Sequence, residues 1–427
     1  MRLLIALATQ ESWKLHHMDV KSAFLNGELE EEVYVRQPPG YVKQGEEHKV
    51  LKLHKALYGL RQAPRAWNIK LDRTLISLGF EKSPLEHAMY KRGEGRDRLL
   101  VGIYVDDLLI TGADEKEIAK FKLQMKELFE MSDLGLLTYY LGIEVQQKLG
   151  EITLCQEAYA KRILENCGME DCNPTQVPME PRLKLSKKSK EPAVDATEYR
   201  SVVGSFRYLV NTRPDLAYSV GIVRRFMEAP TTEHWAAVKH ILRYIKGTTN
   251  FGIVYLKEKG KVKILGYSDN DMAGDVDDRK STSGIAYFLG KSIVSWLSQK
   301  QKVVALSSCE AEYIAAATAA CQGVWLRSLL GNLINEEAER VVLNVDNKST
   351  ISLCKNPVYH DRSKHIDTRY HYIRQCVEEN KIEVNYVRTD DQLADILIKS
   401  LGRLKFLEMR RRIGVQAVKT GTSCLGG

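Results

Sequence analysis

Two adjacent carboxylates at the tip of an apolar hairpin are the first residues in this chain equipped for chemistry. The apolar runs 99–104 and 108–111 flank Asp106 and Asp107, the pattern of two strands joined by a tight turn. Alone, the tetrad Tyr104-Val105-Asp106-Asp107 fits a solvated Asp-rich turn equally well. A third acid changes the weighing. Asp19 stands in His16-His17-Met18-Asp19-Val20-Lys21, where a strand over 14–19 would end and enter a turn. If that strand joins the hairpin, Asp19 and Asp106 meet although they are 87 positions apart. Carboxylates from neighbouring strands suit two Mg²⁺ ions, with Mn²⁺ as a substitute, because hard cations take oxygen ligands. Such a pair serves in-line phosphoryl transfer by stabilising both the attacking and the leaving oxygen.

Four further acids repeat the arrangement. Asp269 ends the run 264–268 and Asp346 ends the run 341–345, while Glu312 and Asp395 lie near the starts of two helical stretches, with spacings of 43, 34 and 49 residues. Two strand ends and two helix starts can converge on one sheet edge, which suits a second two-cation centre that activates water against a phosphodiester. Glu310 competes with Glu312. Two positions along a helix differ by about 200°, so both cannot face the same ions. Either could instead stabilise the helix N-terminus by its charge, a role that suits Glu310 well.

The elements that must position these acids follow from pattern. The chain has 427 residues, 44% of them hydrophobic, with 29 Gly and 11 Pro, a composition that excludes disordered and fibrous proteins. No apolar run reaches the ~18–20 residues of a bilayer span and the start lacks a signal-peptide pattern, which argues against a membrane or secreted protein. The net charge of +8 permits an acidic partner without demanding one. Eight cysteines without a CxxC read as reduced core thiols. Around the first acids, the hairpin is followed by Ile118, Phe121, Met125 and Leu128 on one helix face, and then by a second hairpin turning at Gly150. Hairpin, helix, hairpin is an α+β layer. Residues 180–192 hold five bases and read as a solvated linker, for which a phosphate backbone is the natural partner if it touches anything. Residues 199–246 read as helical. Beyond Gly252 come strands at 262–267, 284–289 and 293–297, a helix over 310–330, a strand at 341–345, helices at 348–354 and 364–379, a strand at 382–387 and a last helix from Gln392. That is α/β in order, within normal domain size.

Longer stretches carry a resemblance. Residues 18–27 (MDVKSAFLNG), 56–67 (ALYGLRQAPRAW), the tetrad 104–107 and 140–145 (YLGIEV) resemble the reverse transcriptase of copia-type LTR retrotransposons. Tyr267-Ser268-Asp269, residues 277–284 (DDRKSTSG), 307–313 (SSCEAEY), Val345-Asp346-Asn347, residues 364–367 and 394–397 resemble that family's ribonuclease H domain. Residues 199–215 and 240–248 look like its connecting region, where Lys239, His240, Arg243 and Lys246 could grip a duplex or form the wet face of an amphipathic helix. The resemblance implies a reverse-transcriptase palm over 1–156, a thumb- or connection-like region over 157–255, a ribonuclease H-like mixed-sheet domain over 256–415 and a tail over 416–427.

It also implies roles. Asp19 and Asp106 would be the main metal ligands of the polymerase, with Asp107 a weaker or more distant acid; Asp269, Glu312, Asp346 and Asp395 would be those of the ribonuclease. Glu312-Tyr313-Ile314-Ala315 matches the ribonuclease pattern better than Glu310 does. Phe24 would lie under the incoming sugar and reject a ribose 2′-OH, or else be a core residue; Gln62 would touch nucleotide or template, and Tyr104 would contact substrate. His365 could orient a phosphate or be structural. The implied activity is RNA-directed DNA synthesis with ribonuclease H cleavage, acting on an RNA template, a primer, dNTPs and an RNA·DNA hybrid recognised by shape and 2′-OH. A ribonuclease H alone and a non-catalytic nucleic-acid-binding remnant are the rivals. Other Pol and Gag products would be partners in a cytoplasmic particle, with nuclear entry at integration; the oligomeric state is left open. Three departures stand out. Asp19 lies 18 residues from the start, so the fingers are expected to be largely missing; Asp269-Asn270-Asp271-Met272 replaces Asp-Ala-Asp-Trp; and Ile398 replaces a common Thr.

Overall fold

Helix α1 (Arg2–Glu11) opens the chain with seven of its residues buried, Leu3 to Thr9. A helix apolar nearly all round must be covered on several sides, and it is covered by the later chain: the Arg2 guanidinium donates to the Val294 carbonyl at 3.1 Å and lies over the Trp296 ring at 4.1 Å. The computed structural model describes residues 1–337, 339–355, 366 and 368–418. These divide into a larger unit containing 1–12, 138–331 and the chain from 336 on, and a smaller unit of 13–137 with 332–335.

The smaller unit is built on a six-stranded sheet. Its strands are β1 (Leu15–Val20), β4 (Glu81–Lys82), β5 (Met89–Arg92), β6 (Leu99–Tyr104), β7 (Asp107–Gly112) and β8 (Met131–Leu136), in the order β4-β5-β6-β7-β1-β8. The expected hairpin is β6–β7, closed at Tyr104 opposite Asp107 by the two residues Val105 and Asp106. The expected docking of the Asp19 strand also holds, since β1 lies between β7 and β8. Helices α2 (Ala63–Ser77) and α3 (Glu115–Leu128) cover one face, with Trp67, Leu71, Leu75, Ile118, Phe121 and Met125 in a common core with Met18, Val101 and Leu108. Between β1 and α2 a two-stranded ribbon, β2 (Glu28–Arg36) with β3 (Val50–Lys55), forms an element the sequence pattern did not reveal.

In the larger unit, β9 (Tyr139–Tyr140), β10 (Ile143–Lys148), β11 (Glu151–Cys155), β12 (Phe251–Leu256) and the late β18 (Val415–Ala417) form one sheet, ordered β18-β12-β11-β10-β9. The boundary drawn at residue 156 therefore runs between hydrogen-bonded partners, because β11 pairs with β12 along its length. Helices α4 (Glu157–Asn166), α5 (Ala196–Leu209), α6 (Ala217–Val223) and α7 (Thr232–Lys246) fill the helical stretch. The mixed sheet follows: β13 (Ile264–Asn270), β14 (Thr282–Leu289), β15 (Ser292–Lys300), β16 (Val341–Val345) and β17 (Ile382–Tyr386), ordered β15-β14-β13-β16-β17. Its first three strands are antiparallel and β13-β16-β17 are parallel, the mixed sheet that the resemblance implies. Helices α8 (Ser308–Ile334) and α9 (Lys348–Lys355) complete the order. Of the helix expected over 364–379, residues 364, 365 and 367 lie outside the described residues, His365 among them; from Thr368 on it is a short 3-10 turn, Thr368–His371, running into a helix at Tyr372–Glu378. The last expected helix is also divided, into a 3-10 turn at Leu393–Leu397 and a helix at Arg403–Arg412. No helix of the described residues is long and apolar enough to cross a membrane. The seven described cysteines are all free thiols.

Candidate active site

Parallel pairing of β13 with β16 sets Leu265–Tyr267 beside Val342–Asn344, so Asp269 and Asp346, near the ends of these strands, emerge at one edge. Helix α8 supplies the third acid. Glu310 is occupied at the helix start: its N–H donates to Ser307 Oγ at 3.1 Å and its Oε2 accepts from the Leu306 N–H at 2.8 Å. Glu312, about 200° further round, faces the strand ends instead. One ligand oxygen each from Asp269, Glu312 and Asp346 lie within 4.8 Å of one another, the one such trio among the described residues. Asp269 Oδ2 and Glu312 Oε2 are buried without a hydrogen-bond partner. Three crowded carboxylates, Asp269 and Glu312 buried with unsatisfied oxygens and Asp346 half-buried, form a donor set that fits a hard divalent cation.

Asp395 reaches the trio on the 3-10 turn, and three neighbours bring it there. Gly284 of β14 leaves room for that turn: a Cβ at this position would lie 2.6 Å from Ile398 Cγ2 and 2.8 Å from the Ala394 carbonyl oxygen. The fully buried Gln392 donates to the Ser268 carbonyl at 3.0 Å and accepts from the Ala394 N–H at 3.2 Å, tying the strand of Asp269 to the turn of Asp395. Lys399 Nζ stands 2.5 Å from Asp395 Oδ1. Electrostatics follow from this crowding. Burial, then hydrogen bonding with Asp395 and the charges of Glu312, Asp346 and Asp395, raises the Asp269 pKa well above the ordinary carboxylate value. Burial and then Asp346 push Glu312 up to about 8, against partial relief from hydrogen bonds with Asp269 and Asn270. Thr389 Oγ1 donates to Asp346 Oδ2 at 3.1 Å.

The other acids meet in the smaller unit. Asp19 lies opposite Asp107 in the β1–β7 pairing, and the Val20 N–H donates to the Asp106 carbonyl at 3.0 Å. Burial first, then the charges of Asp106 and Asp107, raises the Asp19 pKa, with His17 opposing. In the turn between β6 and β7, Val105 has φ 57°, a left-handed conformation that strains a β-branched residue by about 1–2 kcal/mol. Trp67 Nε1 donates to the Val105 carbonyl at 2.6 Å and so helps to fix the turn. His17 Nε2 lies 2.6 Å from Asp107 Oδ1. Phe24 is half-buried against the core, its ring centroid 4.9 Å from that of Tyr58. Gln62 occupies the position before α2, where its carbonyl accepts from the Ala66 N–H at 2.9 Å, and Tyr104 is 54% exposed at the hairpin tip.

Several of these residues were not evident beforehand. His17 had a signal, since alternation along a strand puts it on the face of Asp19. Trp67 and Gly284 end the motif stretches 56–67 and 277–284, which mark them without revealing what they touch; Gln392 and Lys399 had no signal, because their partners are brought close only by the fold. Two of the four candidate duplex-gripping residues on α7 are otherwise engaged: Arg243 Nε donates to the Asn173 carbonyl at 2.8 Å, and His240 Nε2 lies 3.1 Å from the Val177 carbonyl oxygen.

The profile of the family described as "Reverse transcriptase (RNA-dependent DNA polymerase)" matches residues 1–181. The retrovirus-related Pol polyprotein from transposon RE1 of Arabidopsis thaliana is 41% identical over 417 residues, 98% of this chain and 28% of that one. The corresponding polyprotein from transposon TNT 1-94 of Nicotiana tabacum is 41% identical over 427 residues, covering 97% and 32%. A transposon Ty5-1 protein of Saccharomyces cerevisiae is 33% identical over 302 residues, 70% of this chain and 98% of its own length. The chain thus spans about a third of the length of the plant polyproteins it matches.

Proposed function

Because the chain belongs to the Pol family of copia-type retrotransposons, we propose that it is an RNA-directed DNA polymerase joined to a ribonuclease H, with one acid site for each reaction. The observation that carries this reading is the trio Asp269, Glu312 and Asp346, three carboxylates within 4.8 Å with two unpaired buried oxygens. In the ribonuclease site these three side chains would hold Mg²⁺, and Asp395 would join them. Bound there, the cations would supply an activated water and neutralise charge developing on the phosphate. The chain's own contribution is placement. Thr389 steadies Asp346, Gln392 locks the Asp395 turn to the strand of Asp269, and Lys399 offsets the surplus negative charge at Asp395.

In the polymerase site Asp19 and Asp106 would hold the cations, with Asp107 kept to one side by His17. Phe24, backed by Tyr58, would lie against the sugar of the incoming dNTP, Gln62 would meet nucleotide or template, and Tyr104 would meet the primer end. The nucleic-acid partners are a primed RNA or DNA template and an RNA·DNA hybrid. The three-part division into palm, connection and ribonuclease belongs to this reading, as does action in a cytoplasmic retrotransposon particle.

Purified protein with Mg²⁺, given a labelled RNA·DNA hybrid and a primed template with dNTPs, tests both halves. Hybrid cleavage is expected in the wild type and should fall at least 100-fold in Asp346→Asn. Wild type and Asp346→Asn that are equally inert would leave only a nucleic-acid-binding remnant. Cleavage without primer extension would leave a ribonuclease H alone.

A further inference from the structure

The basic run between α4 and α5 is fixed to the larger unit. Arg182, Lys184, Lys187, Lys188 and Lys190 are exposed, whereas Leu185 is buried and Leu183, Ser186 and Ser189 are half-buried between them. The inward residues are anchored at three places. The Arg182 N–H donates to Ser400 Oγ at 3.3 Å. The Asp277 carboxylate accepts from Ser186 Oγ at 2.5 Å and from the Lys187 N–H at 2.8 Å, while His234 Nε2 lies 3.1 Å from the Ser186 carbonyl oxygen. Ser189 Oγ donates to Glu233 at 3.0 Å, and the Thr232 N–H donates to the Pro192 carbonyl at 2.9 Å.

Two nearby acids, Asp275 and Asp278, are already paired with other cations. Asp275 meets Arg225 at 2.9 Å and Lys300 at 2.6 Å, and Asp278 meets Lys300 at 2.8 Å. Among the described residues none of the five outward cations is held in an ion pair. The run also starts beside the ribonuclease acids. Ser400, its first anchor, follows Lys399, which pairs with Asp395, and the charge of Lys184 is felt at Asp271, two positions beyond Asp269.

We propose that residues 182–190 form a fixed cationic rail that holds the phosphate backbone of an RNA·DNA hybrid as it lies in the Asp269/Glu312/Asp346 site. This rests on the ribonuclease reading above. Unpaired cations on an ordered support release counterions on binding without first having to be ordered themselves. Contacts to phosphate set position and carry no sequence information, which is what a nuclease indifferent to base sequence requires.

The test uses the full chain in EDTA with a fluorescent, uncleaved hybrid, its anisotropy titrated across a range of NaCl. Each phosphate contact contributes about 0.9 to the slope of log affinity against log salt for B-form DNA, and a comparable amount is taken for the hybrid. The variant Lys184→Gln/Lys187→Gln/Lys188→Gln/Lys190→Gln should bind at least 10-fold more weakly at low salt with a slope smaller by about 2–4. Its thermal melt should match that of the wild type, because the four side chains are exposed. A wild type that binds the hybrid and a quadruple variant with the same affinity and slope would overturn the rail alone. A wild type that fails to bind hybrid overturns the rail together with the ribonuclease reading. With Mg²⁺, Asp277→Ala keeps every cation but removes the middle anchor of the run, so cleavage should spread over more positions on the hybrid; an unchanged cleavage pattern would overturn the role of that anchor.

Discussion

Glu312 is poised between two protonation states when no cation is bound. Burial and the neighbouring Asp346 raise its pKa to about 8 from an ordinary 4.5. A carboxyl whose folded pKa exceeds its unfolded value contributes stability in full below the unfolded value and loses it as pH rises through the folded one. Metal-free protein should therefore lose stability between about pH 4.5 and pH 8. Glu312→Gln cannot ionise, so in EDTA it should be more stable than wild type at pH 8 and no more stable at pH 4. The gain at pH 8 should be about 1–3 kcal/mol, since each tenfold change in proton affinity is worth about 1.36 kcal/mol. Saturating Mg²⁺ should reverse the order at pH 8, because a ligand at about 100 times its Kd adds about 2.7 kcal/mol to the form that binds it. Thermal melts at the two pH values, with EDTA and with Mg²⁺, give the four comparisons. Superimposable wild-type and Glu312→Gln melts in EDTA at pH 8 would show that the carboxylates are not in conflict.

At the scale of elements, two contacts carry much of the placement. Gly284 lets the turn of Asp395 approach β14 more closely than a Cβ allows. Gly284→Ala should cost about 1–3 kcal/mol, as overpacking does, and slow hybrid cleavage more than hybrid binding; urea titration and a kcat against KM comparison check it. In the connecting region Arg213 and Asp215 are fully buried and paired at 2.8 Å, with Tyr244 donating to the same carboxylate at 2.6 Å and Arg213 reaching the Thr248 carbonyl at 2.8 Å. Burial would raise the Asp215 pKa, but the guanidinium outweighs it and holds the carboxyl below its usual range. Asp215→Ala leaves a buried cation unpaired and should cost about 3–5 kcal/mol, read by urea denaturation. These contacts also mark the limit of what pattern reveals. The hairpin β6–β7 was legible because apolar runs flank a two-residue turn, and β13 to β17 because each run is bounded by turn residues. The ribbon β2–β3 was not, since Glu28–Arg36 begins with acids and buries no continuous face. The pairing of β11 with β12 spans about a hundred positions that no local period records. At the site, the acids were legible by type and by strand end, whereas Gln392, Gly284 and Lys399 gain their meaning only from partners brought close by the fold.

For the whole molecule, the two acid groups belong to different compact units. Asp19, Asp106 and Asp107 fall within 13–137, and Asp269, Glu312, Asp346 and Asp395 fall within the larger unit. Substitutions that share no partners usually add within about 0.3–0.5 kcal/mol. The two proposed activities should therefore be lost separately. Asp106→Asn should abolish primer extension and leave hybrid cleavage within about twofold of wild type. Asp346→Asn should do the reverse, and the double variant should lose both while melting as the sum of the single changes. One substitution could abolish both activities only by unfolding a unit or by removing a surface that both reactions use. Circular dichroism and hybrid binding in EDTA distinguish these cases, because an unfolded variant loses its spectrum whereas a shared surface loses binding with the spectrum intact. If Asp346→Asn abolished primer extension while folding and hybrid binding stayed normal, the assignment of one reaction to each acid group would be wrong.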